Sequence, residues 1–515
     1  MAQAFDYIVI GAGSAGCAVA YRLVNNTDAR VLLIEAGGRD TLPEIHSEIL
    51  TDTFSLWGRP EIDWGYVTEE QPSLNDRTIP VARGKVWGGC STVNAMLHVR
   101  GSVHDFDHWN YLGNEGWSYT DVLPYFKRME DWQEGASAYR GAGGPLSVIR
   151  HDKPTPVSDC LFDATVELGF ADGGRDFDYN GAQQTGSAFY YQANKTPDTH
   201  RRASEAQAYL YPILDAPNFT LLDETQVTKL VVERGRVRAV EVVKDGRAQR
   251  IEVEREVIVA CGAYESPKLL MLSGMGPAAT LQAHGIDVVA DLPGVGRNLQ
   301  DHMLFGVAYL SRHAHPHEVT LLSETGLFTH TRPNLDQAGP DLQIKCGGVK
   351  FVAPHYDKPG PGFTLAPVLA QPQSVGSVTL RSADPGDTAI VQPNFLTADA
   401  DVRVFLRGIE LARELAHTSA FKEFTKEELA PGAAVTDAAG LREFIRNNAT
   451  TVWHPVGTCK MGHDALAVVD PQLRVHGIDG LRVADASIMP RIVAGNTNAA
   501  CVMIGEKAAD LLMSS

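Results

Sequence analysis

"YIVIGAGSAG" occupies residues 7–16, and its reading decides the fold. "DYIVI" (residues 6–10) is a short apolar, β-branched run with the character of a buried strand. "GSAGCAVAYRLV" (13–24) follows, with small residues on one side at helical spacing, and "VLLIE" (31–35) reads as the next parallel strand. Gly11, Gly13 and Gly16 have the spacing G-x-G-x-x-G. The first glycine permits a tight strand-to-helix turn, the second lets backbone approach a pyrophosphate, and the third lets helix and strand pack closely. The helix N-terminus at Ser14 and Ala15 then faces the phosphates. Glu35, followed by Ala36, ends the second strand, where a carboxylate binds ribose hydroxyls. A Rossmann-like dinucleotide site is expected, and the motif does not separate NAD from FAD.

The rest of the chain is long for one core. Its 515 residues imply at least two domains. Lys and Arg number 45 against 63 Asp and Glu, a formal charge of −18. That balance disfavours nucleic acid or an anionic membrane as partner and fits a small neutral or cationic substrate. Seven scattered cysteines contain no C-x-x-C pair, which reads as reduced thiols in a cytoplasmic protein. No apolar run is long enough to span a bilayer. Residues 43–75 are rich in turn residues and Trp and read as a long irregular cover, while 227–262 alternate through two or three strands.

Between His302 and Asn448 the pattern changes. "LQIKCGGVKF" (342–351) and "GSVTLRS" (376–382) look like strands of a separate antiparallel sheet, and 399–415 like an amphipathic helix. "LRVADASIMP" (481–490) reads as a strand and turn, and "NAACVMIGEKAADLLM" (498–513) as a helix. Cofactor-type sequence at both ends gives an α/β fold, α+β overall. The cofactor-binding domain is discontinuous (1–150, 195–302 and 450–515), and the inserted substrate-binding domain is built on an antiparallel sheet (151–194 and 303–449).

Three further stretches narrow the reading: "GKVWGGCSTVNAMLHVRG" (84–101), "GAYESPKLLMLSGMG" (262–276) and "PGVGRNLQDH" (293–302). With the N-terminal unit and the late "VWHPVGTCKMG" (452–462) and "GNTNAACVMIGEKAAD" (495–510), they resemble the glucose–methanol–choline (GMC) oxidoreductases in order along nearly the whole chain. The resemblance implies FAD as cofactor. It places Arg83, Gly84, Gly88, Gly89, Cys90, Ser91 and Asn94 along the flavin, where glycines let backbone approach a flat ring edge. It puts Val227 where family backbone holds the adenine, and Asp485 and Ala486 near the ribityl and phosphate groups. Asn498 would touch the flavin or cap the last helix, whose N-terminal dipole favours negative charge on the flavin. Some family members carry, at the position of Val93, a His bonded to the flavin. Val has no nucleophile, so non-covalent FAD is expected.

The family's catalytic His matches His454, and its second His or Asn matches Asn496. Oxidising an alcohol removes a proton from oxygen and a hydride from carbon. A His has an unperturbed pKa of about 6.5, suited to the proton, and an Asn orients the oxygen without competing for it. The hydride goes to flavin N5. Trp453 is a candidate substrate contact, with contact to the flavin or core packing as the alternatives. The expected activity is FAD-dependent oxidation of an alcohol to an aldehyde or ketone, by a dehydrogenase or oxidase that passes electrons to oxygen or another acceptor. A lyase on the same fold is the alternative, hydroxynitrile lyase ahead of fatty acid photodecarboxylase: Ala370 replaces the photodecarboxylase Cys, and His454 is present where those enzymes lack it. "HAHPHE" (313–318) and the pair His104 and His108 have no recognisable ligand partners, so no metal is expected.

Overall fold

The computed structural model describes residues 4–332 and 338–514. Phe5–Ile10 is a central strand of a parallel sheet, flanked by Val31–Ile34 and by the second half of Arg247–Val259. Phe219–Leu222 and Leu481–Val483 extend that sheet at its two sides. Strands buried on both faces need no polar alternation, which is why "YIVI" and "VLLI" are continuous apolar runs. Residues 227–262 supply three strands: Gln226–Glu233 and Arg236–Lys244 form an antiparallel meander with the first half of Arg247–Val259.

Two helices lie together on this sheet. Ser14–Asn26 buries Ala15, Cys17, Ala18 and Ala20. The approach is close because Gly16 has no side chain: a Cβ there would stand 1.9 Å from the Gly11 carbonyl oxygen. Asn498–Met513 packs against it, and a Cβ on Gly505 would come 2.4 Å from the Ala15 carbonyl oxygen. The last segment of the chain is thereby returned to the glycine loop.

The second sheet is antiparallel. It runs Thr425–Ala430, Val307–Ser311, Gly362–Leu369, Leu342–Gly347, Thr325–Thr329, Ala188–Tyr190, with Met303–Leu304 joined to Gly362–Leu369 and to Thr450–Thr451. Leu342, Ile344 and Cys346 point into a core with Phe405, Ile409 and Leu415 of the helix Asp399–Ala416. Two expectations need correction. Gly376–Thr379, from "GSVTLRS", belongs to a separate three-stranded sheet with Arg297–Leu299 and Ile390–Gln392. Thr450–Thr451, assigned to the cofactor part, pairs with the antiparallel sheet instead. A further small sheet joins Glu130–Trp132, Leu146–Arg150 and Gln192–Ala193 across the expected boundaries at 150 and 194. All seven cysteines are free. Among the described residues no helix is long and apolar enough to cross a membrane.

Candidate active site

One cavity begins at the carboxyl ends of the parallel strands, where open α/β sheets bind ligands, and ends against the antiparallel sheet. Gly11, Gly13, Ser14 and Ala15 line its first part, with Glu35 and Ala36 at the end of the second strand. Glu35 is held by the backbone amides of Ala12 and Gly37, each at 2.8 Å. Burial raises its pKa to about 7 against those hydrogen bonds. Val227 lines the same region. Asp485 follows Leu481–Val483 and lies on the wall with Ala486. Its carboxylate accepts from the Gly262 amide at 2.8 Å and the Ser266 hydroxyl at 2.5 Å, and it also caps the turn at Ser487.

Arg83, Gly84, Gly89, Cys90 and Asn94 line the middle, together with Val93. Gly16, Gly88 and Ser91 do not line the cavity. Gly16 serves helix packing. Gly88 faces Thr92, whose hydroxyl oxygen would lie 2.3 Å from an added Cβ. Ser91 turns its hydroxyl inward to the Gly88 carbonyl at 2.7 Å and accepts from the Glu205 amide. Asn498 lines the cavity but does not cap its helix with its side chain. It accepts from Ser14 Oγ at 2.6 Å and donates to Glu205 Oε1 at 2.9 Å.

These residues fit FAD on the structure's own terms. An added Cβ on Gly13 meets nothing within 4 Å, so the second glycine of the loop borders open space where a pyrophosphate needs backbone contact. A helix N-terminus adjoins that space, the Glu35 carboxylate lines the cavity just after the second strand, and the cavity continues to His454 and Asn496.

The far end is built by backbone pairing. Met303 pairs with Thr451, and the Val452 amide donates to the His302 carbonyl at 2.9 Å. This brings His302 and His454 side by side. Asp301 accepts from the His454 amide at 2.8 Å and from the Thr451 hydroxyl at 2.5 Å, and burial raises its pKa to about 6. Between these contacts Trp453 takes φ +62°, a left-handed conformation costly for a bulky residue. Arg83 donates to the Trp453 carbonyl at 2.6 Å, and the Trp453 ring packs on Trp57 with centroids 4.5 Å apart.

The hydrogen bonds assign the tautomers. His302 Nε2 lies 3.1 Å from the Ala370 carbonyl, which only accepts, so Nε2 carries the proton. Burial pushes the His302 pKa down to about 3, so His302 is neutral and its Nδ1 is an acceptor. His454 Nδ1 is 3.0 Å from that atom and therefore donates. His454 Nε2 is left with its lone pair, 3.2 Å from Asn496 Nδ2 and in position to accept from it. Burial first, then His302, Lys345 and Arg83, hold the His454 pKa well below the ordinary imidazole value. Asn496 Oδ1 has no hydrogen-bond partner among the described residues.

Sequence reasoning missed Asp301 and His302. Both close the motif "PGVGRNLQDH", and adjacent acid and imidazole groups were the available signal. The histidines of "HAHPHE" lie elsewhere, with His315 bonded to the Gly362 carbonyl. Among the described residues no group of three His, Cys, Asp or Glu is arranged to hold a metal.

Comparison with known proteins gives the family. Residues 5–304 and 372–505 match the two family models of GMC oxidoreductase, N-terminal and C-terminal. The chain is 40% identical over 545 residues to an oxygen-dependent choline dehydrogenase of Sinorhizobium fredii, covering 99% of this chain and 95% of that one. A Brucella suis protein of the same name is 40% identical over 543 residues at the same coverage. Among solved structures, pyridoxine 4-oxidase from Mesorbium loti superposes with a TM-score of 0.93 at 34% identity, covering 99% of each chain. Aspergillus oryzae formate oxidase gives 0.89 at 26% identity, covering 100% of this chain and 99% of that one. The chain belongs to the GMC oxidoreductases, a family of FAD-dependent enzymes, and is an oxidoreductase acting on CH–OH donors.

Proposed function

We propose that His454 is the base that takes the hydroxyl proton of an alcohol, and that Asn496 orients the same oxygen. The carrying observation is the chain Ala370 carbonyl, His302, His454, Asn496, which leaves the lone pair of His454 Nε2 beside the Asn496 amide. An alcohol oxygen seated against both groups donates to Nε2 and accepts from Nδ2–H. His454 is neutral across the working pH because burial and neighbouring cations keep its pKa low, so it is ready to accept the proton. His302 holds the tautomer, Asp301 and Arg83 hold the backbone around Trp453, and Trp453 covers the substrate with Trp57. Bound FAD supplies the hydride acceptor.

The FAD is non-covalent in this reading, since Val93 on the cavity wall has no nucleophile. The remaining cofactor contacts fall to the glycine loop, Glu35, Ala36, Val227, Arg83–Asn94, Asp485, Ala486 and Asn498. Residues 1–150, 195–302 and 452–515 form the cofactor-binding part and 151–194 with 303–451 the substrate-binding part, the last boundary moved to follow the pairing of Thr450–Thr451. The free cysteines support a cytoplasmic location. Mixing the holoenzyme anaerobically with a panel of alcohols tests the reading. Bleaching of flavin absorbance is expected, and no bleaching by any alcohol would refute it. Admitting air then separates oxygen, which restores the colour, from another acceptor.

A further inference from the structure

The substrate end of the cavity carries one feature that the reaction above does not use. Lys345 lies in the strand Leu342–Gly347, whose side chains alternate between two environments. Leu342, Ile344 and Cys346 enter the core, and Lys345 and Gly347 line the cavity beside Thr364 and Ala366 of the neighbouring strand. Lys345 is only 7% exposed, yet its ammonium makes no hydrogen bond or ion pair among the described residues. The ammonium lies 5.9 Å from the centre of the Tyr191 ring. Burial pushes its pKa down to about 8, so it keeps its charge at neutral pH. Its charge acts on both His302 and His454, which places it at the reacting end.

An unpaired buried cation is costly unless something neutralises it. No carboxylate of the wall is free to do so. Glu35 is held by Ala12 and Gly37, Asp485 by Gly262, Ser266 and Ser487, and Glu265 by Tyr66 and Lys268. Ser323, 3% exposed, also lines this end with a hydroxyl that makes no hydrogen bond among the described residues. It stands next to Gly347, at the next cavity-facing position of the Lys345 strand. An ammonium and a spare hydroxyl on one wall suit an anionic oxygen group. A quaternary ammonium alcohol would gain from the π faces of Trp57 and Trp453, but it would meet the Lys345 cation with no facing carboxylate.

We propose that the substrate is an alcohol that also bears a carboxylate, and that Lys345 is the residue that recognises it. This deepens the alcohol-oxidation reading and rests on it for the word substrate, but its binding arm stands alone. The holoenzyme is titrated with butyrate, benzoate and tetramethylammonium, none of which is oxidised as an alcohol, and perturbation of the flavin spectrum is read. Butyrate or benzoate should bind and tetramethylammonium should not. In Lys345→Met, of similar length and uncharged, the anions should bind about 30-fold more weakly or worse, as expected for losing one partner of a desolvated charge pair. Anaerobic reduction is then compared for 4-hydroxybutyrate, 1-butanol and (3-hydroxypropyl)trimethylammonium, and for the corresponding benzylic set. The wild type should favour the carboxylates, and Lys345→Met should abolish that preference, read as the ratio of carboxylate to neutral rates within each variant. Tighter binding or faster reduction with the cations would overturn the proposal. So would a carboxylate-to-neutral ratio unchanged in Lys345→Met, which would leave Lys345 acting on the base alone. Anion binding without reduction by any alcohol would sink the alcohol-oxidation reading and leave the Lys345 anion site standing.

Discussion

Replacing His302 by Leu tests whether the proton on His454 is placed by its neighbour. In the wild type His454 Nδ1–H donates to His302 Nδ1 across 3.0 Å, and Nε2 keeps its lone pair beside the Asn496 amide at 3.2 Å. Leu removes that acceptor inside a buried site. Keeping the productive tautomer then leaves a buried donor unsatisfied, at a cost of about 1–3 kcal/mol. His454 escapes the cost by moving its proton to Nε2, where it no longer accepts from an alcohol. The productive fraction, and with it the reduction rate, should fall by about 5–150-fold. His302→Asn separates this effect from general damage, because the Asn carbonyl oxygen stands near the place of the His Nδ1 and restores the acceptor. Anaerobic stopped-flow reduction at saturating alcohol gives the rate for both variants. The Leu variant should be slow, with little change in the alcohol concentration that half-saturates reduction, and the Asn variant should recover most of the rate. Equal rates in the two variants would refute the tautomer assignment. A loss in the Leu variant as complete as that from removing His454 would make His302 the base itself.

Other consequences follow from the same geometry. Gly13→Val should fold, because no protein atom lies within 4 Å of the added Cβ. It should be colourless, because the side chain occupies the pyrophosphate space; a yellow, folded variant would misplace the nucleotide site. Acid precipitation of the holoenzyme should release all of its colour, and colour kept in the pellet would contradict the role given to Val93. Asn496→Asp puts a carboxylate beside His454 and favours its protonated form, so the His454 pKa rises. The acid limb of the reduction profile should move to higher pH as the maximal rate falls, and an unshifted limb would separate Asn496 from the base.

The glycine loop was legible because its physical demands are local. A turn, a close approach and a tight helix packing each need glycine at a fixed spacing. The helices at 399–416 and 498–513 were legible from their periodicity. The destination of a short strand was not: "GSVTLRS" and "LQIKCG" both alternate, but alternation shows two faces and does not say which sheet receives them. The same limit concealed Lys345. A polar residue in an alternating strand reads as solvent-facing, whereas here that face lines the cavity. His302 was hidden differently, since its contact with His454 spans 152 positions and arises from the pairing of Met303–Leu304 with Thr450–Thr451.

The base assignment to His454 is the central claim, and His454→Ala tests it most directly. The residue is 9% exposed, and loss of its side chain leaves the Asp301 contact to the backbone amide in place. The variant should therefore fold and retain FAD, with its flavin spectrum intact. Mixed anaerobically with an alcohol that bleaches the wild type, it should reduce its flavin about 10²–10⁴-fold more slowly, the usual contribution of a positioned base. Reduction at a rate near that of the wild type would contradict the assignment and leave His454 as a structural residue.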